Sequence, residues 1–343
     1  MQNSYCRLNL AFKKMKCFNS IKEVFVSVDA VKHKKVIVDF RWNTLWKEIK
    51  KTKYLQLMLI PAIIWYIIFC YGPMYGVTIA FKDFNMRIGI LNSPFVGFKH
   101  FERFITHPYF WKLMRNTVLL SCYSLIFSFP IPIVFALLLN EVRNIKFKKF
   151  VQTVSYLPHF ISTVAIVGMI VMMLSPSSGF INKLLTSWFE IEPIYFMSEQ
   201  CWFRPIYIIS GIWQSTGWNA IIYLAALSSI DQELYEAISI DGGGRFRKIW
   251  HITLPGIKPT IVILFILGLG SMLSVGSEKI ILMYSPITYE VADVVSTFVY
   301  RVGLFDAQYS YSTAVGLMNS IVNVILLTIA NRMARKFADF SLW

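Results

Sequence analysis

The chain has 343 residues, 56% of them hydrophobic and only 15% charged, and its formal net charge is +15. A soluble domain averages about 45–50% apolar and about 25% charged residues, so the composition disfavours a soluble enzyme and is typical of a polytopic membrane protein. The positive charge does not indicate nucleic-acid binding, because the lysines and arginines lie in loops and terminal segments, as juxtamembrane charge does.

Residues 1–54 are basic, and they lack the apolar core and small-residue cleavage site of a signal peptide. We predict that this segment stays in the cytoplasm. Its end has apolar residues at helical spacing among lysines, which indicates an amphipathic helix at the membrane surface over residues 42–53. The residues that carry this spacing are Trp42, Leu45, Trp46 and Ile49.

Six apolar runs are long enough to cross a bilayer, whose core requires about 20 residues of helix. The predicted fold is therefore all-α, with a transmembrane domain over residues 55–331 and a cytoplasmic tail over 332–343. The runs lie at 55–80, 117–139, 154–174, 206–229, 260–283 and 312–331. Prolines within the first two runs argue for a packed bundle, in which neighbouring helices satisfy the carbonyls that a proline leaves free.

Lysine and arginine indicate the orientation, since basic loops resist translocation. They are most frequent in the terminal segments and in the loops that would share a side with them, which include residues 231–258. Both termini and this loop are therefore predicted in the cytoplasm. On the opposite side, the apolar spacing of residues 179–189 predicts a short surface helix.

The segment 231–258 places charges and three consecutive glycines between two apolar runs. Asp231 is expected to cap a helix over 232–240, and Gly242 allows a sharp turn into a second helix over 245–251. The apolar side of the second helix is expected to pack under the bundle and consists of Phe246, Ile249 and Trp250. An ordinary solvated loop is the alternative interpretation.

This segment resembles the EAA loop of ABC-importer permeases, whose pattern is E-A-A, three residues, G, nine residues, I-x-L-P. The matching residues are Glu236, Ala237, Gly242, Ile252, Leu254 and Pro255. Ile238 stands where the family usually has a second alanine, and it adds bulk at a close contact. The run Ile240-Asp241-Gly242 and Phe246 are similar to the carbohydrate-importer branch, which includes the larger maltose permease subunit and complex-oligosaccharide permeases. The resemblance covers residues 41–337.

The resemblance implies a heterodimer with a second permease, two ABC ATPase subunits, and an extracytoplasmic substrate-binding protein, in the lipid of a bacterial cytoplasmic membrane. The chain itself would be no enzyme and would hold no cofactor or metal. ATP and Mg²⁺ would bind the ATPase, which agrees with the absence of a G-x-x-x-x-G-K-[ST] run here. The residues implied in ATPase coupling are Glu236, Ala237, Asp241, Gly242, Arg245, Leu254 and Pro255.

An oligosaccharide path requires aromatic faces for sugar C–H groups and paired polar side chains. The candidates are Trp213, Gln214, Trp218, Asn219, Tyr223, Ser274, Glu278, Asn319 and Asn323, several of them i, i+4 pairs. Each could instead be an interhelical contact or an interface anchor. Glu278 is expected either near the outer mouth or as a partner of Lys279.

The predicted first outer loop is unusually basic, with Lys82, Arg87, Lys99, Arg103, Lys112 and Arg115. These residues are expected to contact the binding protein, to steer an acidic, uronate-containing oligosaccharide, or to be solvated.

Other functions remain as alternatives. One is a permease for another solute class. Another is an ion-coupled secondary carrier, which would need acid or base relays inside the spans, where the sequence has almost none. An intramembrane enzyme is a third, although the five histidines and five cysteines show no metal-ligand spacing and no nucleophile–base set is apparent.

Overall fold

The computed structural model describes residues 52–338, without the side chains of residues 55, 337 and 338. Nearly all of the predicted basic segment and of the amphipathic helix over 42–53 lies outside the described residues, as does the end of the tail. Within the described part, one isolated bridge between Lys82 and Phe95 is the only strand-type pairing. The predicted all-α class is confirmed.

The described residues fall into two units, a first that ends at Gly72 and a second that begins at Pro73. In the first unit, α1 (Lys53–Tyr66) contains Pro61 and continues into a π-helical turn at Ile67–Tyr71. The second unit begins with a helical turn that leads into a 3₁₀ helix at Tyr75–Phe81.

The second unit contains fourteen numbered helices within the described residues. Before the long helices lie a single turn at Gly89–Asn92 and α2 (Lys99–Ile105). The others are α3 (Phe110–Ser128), α4 (Pro130–Glu141), α5 (Ile145–Tyr156), α6 (Thr163–Met173), α7 (Phe180–Phe189), α8 (Gln200–Ser228), α9 (Gln232–Ile240), α10 (Arg245–Lys248), α11 (Leu254–Gly270), α12 (Ser277–Met283), α13 (Tyr289–Ala292), α14 (Val295–Tyr300) and α15 (Tyr309–Ala338).

Four helical stretches are long and apolar enough to cross a membrane: Gln56–Phe81, Phe110–Glu141, Arg245–Gly270 and Tyr309–Lys336. A bent pair, Ile145–Phe160 with Thr163–Met173, makes a fifth if it counts as one span. The chain is therefore a multi-pass helical membrane protein. Helix α8 covers the predicted run 206–229 and has 29 residues. Its middle, from Gln214 to Asn219, is polar.

Two predicted runs differ from the observed helices. The run 154–174 is not one straight helix, because the chain bends by 100° where a 3₁₀ turn, Leu157–Phe160, separates α5 from α6. The run 260–283 is interrupted, since α11 ends at Gly270 and α12 starts only at Ser277. Glycine and serine are weak helix formers, and they occupy much of the intervening segment. Non-helical backbone is tolerated at membrane depth where protein or a cavity surrounds it.

Three buried clusters follow one another along the bundle. The first joins Phe104 and Leu113 to Phe298. The second contains Leu120, Phe203 and Ile280, and the third contains Ala136, Tyr223 and Ile257. The continuous stretch Phe110–Glu141 contributes to all three in order, so the clusters mark successive levels of the bundle. The third level adjoins the start of α11, and we call the opposite level the distal end.

Candidate functional site

The segment 231–258, which we call the elbow, is two short helices joined by a glycine turn. The Asp231 carboxylate accepts a hydrogen bond from the Glu233 amide at 3.0 Å and caps α9 as predicted. At the other end of α9, the Gly242 amide donates to the Ser239 carbonyl at 3.1 Å, and the Gly243 amide to that of Ile238 at 2.8 Å. Gly242 has φ +73°, a left-handed conformation that favours glycine.

The second limb of the elbow is continuous with a membrane span. Helix α10 runs through a π-helical turn, Ile249–Thr253, directly into α11. The result is one helical stretch of 26 residues from Arg245 to Gly270, about 39 Å long at 1.5 Å per residue. A hydrogen bond of 3.1 Å between Tyr235 Oη and Thr253 Oγ1 joins the first limb to it. The first limb is thereby joined to the helix that continues into the span.

Most predicted coupling residues lie on the elbow surface. Glu236, Ala237, Asp241, Gly242, Arg245 and Pro255 are exposed, and Leu254 is half-buried. The predicted packing of Phe246 and Trp250 under the bundle is wrong, because these side chains are 89% and 71% exposed. Ile240 is also 86% exposed. Exposed large apolar side chains grouped on one short segment are typical of an interaction surface.

A polar cavity of about 300 Å³ opens where α11 ends. Its walls come from α3, α8 and the non-helical segment after Gly270, and its polar lining consists of Ser121, Ser124, Ser128, Tyr207, Asn219, Ser271 and Ser274. No charged side chain lines it among residues 52–338. Two of the predicted path residues, Asn219 and Ser274, therefore meet in one cavity.

Two asparagines of α15 hold the non-helical wall of this cavity. The Asn323 amide donates to Ser274 Oγ at 3.0 Å and accepts from the Leu273 amide at 3.1 Å. Asn319 donates to the Leu273 carbonyl at 3.3 Å. Both side chains bond the backbone of Leu273 in this non-helical segment. They therefore act as interhelical contacts, which is the alternative stated above for these positions.

The other predicted path residues lie outside the polar cavity. Trp218 stacks on His159 with ring centroids 4.6 Å apart, and Gln214 donates to the Ile161 carbonyl at 3.5 Å, so both contact the bend between α5 and α6. Trp213 lines a separate apolar groove, and Tyr223 is buried in the third cluster.

Glu278 is exposed at the start of α12, next to the buried Lys279. The Lys279 ammonium donates to the Tyr207 carbonyl at 3.0 Å. Within residues 52–338 no salt bridge joins it to Glu278. Of the two alternatives for Glu278, the pair with Lys279 is therefore wrong.

A second, larger cavity of about 620 Å³ lies at the distal end. Two ion pairs line it: Lys112 with Glu290, and Arg301 Nη2 with Asp293 Oδ2 at 2.5 Å. The Lys112 ammonium holds the pKa of the Glu290 carboxyl below its usual value. Asn116 is completely buried and joins α3 to this region, because its amide donates to the carbonyls of Glu290 and Asp293.

The basic residues of the predicted first outer loop have specific local partners. The Lys82 ammonium donates to the carbonyls of Ile90 and Leu91, at 2.8 and 3.1 Å. Lys99 lies 3.7 Å from Asp83, and Lys112 pairs with Glu290 as described. Two of the six basic side chains, Lys99 and Lys112, therefore have carboxylate partners within the fold, and Lys82 has backbone partners.

Sequence reasoning missed several of these residues. Ser121, Ser124 and Ser128 recur at the i, i+3 and i+7 positions of one α3 face, and this spacing could have identified the cavity wall. Asn116 carried no comparable signal, because its partners are carbonyls more than 170 positions away.

The chain is similar to known transport proteins over most of its length. Residues 112–339 match the family described as "Binding-protein-dependent transport system inner membrane component". The Bacillus subtilis polygalacturonan/rhamnogalacturonan transport system permease protein YteP is 47% identical over 313 residues, 91% of this chain and 96% of that protein. Protein LplB of the same organism is 47% identical over 289 residues, 84% of this chain and 91% of LplB.

Solved structures agree with this similarity. One chain of a bacterial ABC transporter involved in the import of the acidic polysaccharide alginate superposes with a TM-score of 0.79 at 46% identity, covering 86% of this chain and 99% of that one. A chain of the bacterial alginate ABC transporter in complex with alginate pentasaccharide-bound periplasmic protein gives 0.80 at 45% identity, covering 87% and 99%. The family resemblance predicted from the elbow is confirmed, and this chain belongs to the inner membrane components of binding-protein-dependent transport systems.

Proposed function

We propose that the chain is one permease subunit of an ABC importer that moves an acidic, uronate-containing oligosaccharide from an external binding protein into the cytoplasm. One observation carries the transport part of this proposal. The unbroken helix from Arg245 to Gly270 begins on the exposed elbow and ends at the polar cavity. A displacement of the elbow is therefore transmitted to the cavity by a rigid element.

The elbow supplies the contact for a partner ATPase, which would bind ATP and Mg²⁺. Glu236 and Arg245 offer charges of opposite sign, while Phe246 and Trp250 offer apolar surface that is costly to leave in water. Closure of an ATPase dimer would move both elbows of a permease heterodimer. That movement would favour the outward-open arrangement of the permease, provided that the closed ATPase dimer binds this arrangement more tightly than the inward-open one.

The polar cavity suits a hydroxyl-rich solute. Serine hydroxyls and the Asn219 amide can both donate and accept hydrogen bonds, as sugar hydroxyls do. An ion-coupled carrier needs acids or bases along its path, and no charged side chain among residues 52–338 lines this cavity. The cavity therefore favours the ABC importer over the secondary carrier.

The acidic character of the substrate is supported by two kinds of similarity. The relative YteP is a polygalacturonan/rhamnogalacturonan permease, and the superposed structures come from alginate importers. Galacturonate and alginate units both carry carboxylates. This proposal also requires an external binding protein. It requires in addition that the elbow and both termini of the chain lie in the cytoplasm.

Reconstitution of the whole importer in proteoliposomes tests the proposal. The measurement is uptake of a galacturonate oligosaccharide and of a neutral galactose oligosaccharide of equal length, with and without internal ATP. We expect ATP-dependent uptake with a preference for the acidic sugar. Uptake that follows an ion gradient without ATP would overturn the importer assignment, and equal uptake of both sugars would remove the acidic substrate.

A further inference from the structure

One basic side chain of the distal cavity, Arg103, has no carboxylate partner among residues 52–338. Lys112 and Arg301 are each paired with a carboxylate, but no carboxylate among residues 52–338 lies within salt-bridge distance of Arg103. The Arg103 guanidinium instead lies over the ring of Tyr311, 4.4 Å from its centroid. Asp306, the remaining acid in the wall, is exposed and forms no salt bridge with another of residues 52–338.

Polar atoms in the same wall are buried without partners. The Tyr311 hydroxyl and the Gln308 Oε1 atom form no hydrogen bond within the described part of the chain, although both atoms are buried. The Tyr311 residue is only 3% exposed and lines the cavity. An unsatisfied buried polar group costs about 1–3 kcal/mol, so such atoms are uncommon unless something else satisfies them.

The rest of the lining suits one sugar ring. The volume of about 620 Å³ falls within the range of small-molecule pockets, about 300–1,000 Å³. Three aromatic residues also line the cavity, Tyr109, Tyr289 and Phe298. Lys112 and Arg301 lie over the rings of Tyr109 and Tyr289, at 5.4 and 5.1 Å from the centroids. The Tyr109 amide donates to His107 Nδ1 at 3.2 Å. The other ring nitrogen, Nε2, therefore carries the proton of a neutral His107 and is a hydrogen-bond donor.

We propose that the distal cavity is a binding subsite for a single uronate residue of the transported oligosaccharide, with Arg103 holding its carboxylate and Tyr311 and Gln308 bonding its hydroxyls. The inference rests on the proposed function, since it assumes an acidic saccharide substrate. It adds a site that is separate from the serine-lined cavity. A planar guanidinium suits this role because it binds a carboxylate through two parallel hydrogen bonds.

Direct binding to the whole importer in nanodiscs tests the subsite. The probes are galacturonate disaccharide and its neutral galactose counterpart, measured by saturation-transfer NMR without the binding protein. Arg103→Gln is expected to weaken binding of the acidic disaccharide about tenfold and to leave the neutral one unchanged, because only the charge-assisted bonds are lost. Lys183→Gln, which removes an exposed lysine of α7 outside the cavity, is the control and should change neither.

Tyr311→Phe separates ligand binding from a structural role. The variant keeps the ring beneath Arg103 and removes only a hydroxyl that has no hydrogen-bond partner among residues 52–338. We expect binding of both disaccharides to weaken about threefold to tenfold, with no loss of thermal stability. A hydroxyl that served the fold would instead lower the thermal midpoint.

The outcomes distinguish this inference from the function on which it rests. If wild-type importer takes up galacturonate oligosaccharide with ATP but Arg103→Gln and Tyr311→Phe bind the disaccharides normally, the subsite is overturned and the proposed function stands. If the wild-type importer neither binds nor takes up the acidic sugar, the subsite and the acidic substrate of the proposed function are both overturned. Selective loss of acidic binding in Arg103→Gln, together with weakened but stable Tyr311→Phe, supports the subsite.

Discussion

Ile238 packs against Gly243 inside the elbow turn. A Cβ atom at Gly243 would lie 2.7 Å from Ile238 Cγ1 and 2.7 Å from the Ile238 carbonyl oxygen. The glycine therefore makes room for the isoleucine that stands in place of the family's second alanine. The bulk that was expected to disturb close packing is accommodated within the same turn.

Gly243→Ala should consequently weaken the coupling between the permease and its partner ATPase. Overpacking a tight contact costs about 1–3 kcal/mol, and here both limbs of the elbow meet. We expect reduced stimulation of ATPase activity by loaded binding protein. Adding Ile238→Ala should restore part of it, because the alanine removes the side-chain clash and leaves only the carbonyl contact. A double variant no better than Gly243→Ala would contradict this explanation.

Gly242→Asp should leave the protein in the membrane but uncouple sugar uptake from ATP hydrolysis by the partner ATPase. The left-handed φ of +73° favours glycine over any residue with a side chain, and the new charge adds to the ATPase-facing surface. Gly244→Asp is the matched control, because Gly244 has φ −74° at the N-cap of α10, with open space around it. Aspartate is a favourable N-cap residue. Normal sugar uptake by Gly242→Asp would count against the assignment of the elbow.

Phe246→Ser should abolish ATPase association without affecting folding. The Phe246 side chain is 89% exposed, so its removal costs the isolated subunit almost nothing and costs a complex its buried contact. Co-purification of the ATPase with the permease measures the effect. Phe305→Ser alters a phenylalanine that is 74% exposed on the segment after α14, and it should leave ATPase co-purification unchanged.

Asn323→Ala should destabilise the bundle more than Asn319→Ala. Asn323 is 8% exposed and bonds both the Leu273 amide and Ser274, and its loss leaves a buried amide without a partner at a cost of about 1–3 kcal/mol. Asn319 makes one longer bond, of 3.3 Å. Thermal unfolding in detergent compares the two, and equal midpoints would contradict this account of the non-helical wall.

The Lys112–Glu290 ion pair should respond to acid. Because the pKa of Glu290 is lowered in the folded protein, the pair stabilises the fold above the ordinary glutamate pKa of about 4.3. That stabilisation is lost as the pH falls through the lowered value. Glu290→Gln should therefore flatten the acid side of a stability–pH profile and leave the difference between pH 6 and pH 7 unchanged. A variant with a steeper acid side would refute the pairing.

The sequence alone predicted the membrane class, the helical fold and the elbow. These features depend on local properties: the length of apolar runs, the Asp231 cap, and the spacing from Glu236 to Pro255. The spacing also indicated the family, since its pattern is contiguous in the chain. No knowledge of distant contacts was needed for any of these conclusions.

Only the tertiary structure decided which polar residues meet. Asn219 and Ser274 share a cavity with serines of α3, whereas Trp218 contacts a bend that no periodicity predicted. The segment after Gly270 receives hydrogen bonds from α15, about 50 positions later. Whether a carboxylate of residues 52–338 lies near Arg103 depends on how the other helices pack. Such contacts depend on the packing of distant segments, and a local pattern of residues carries no information about that packing.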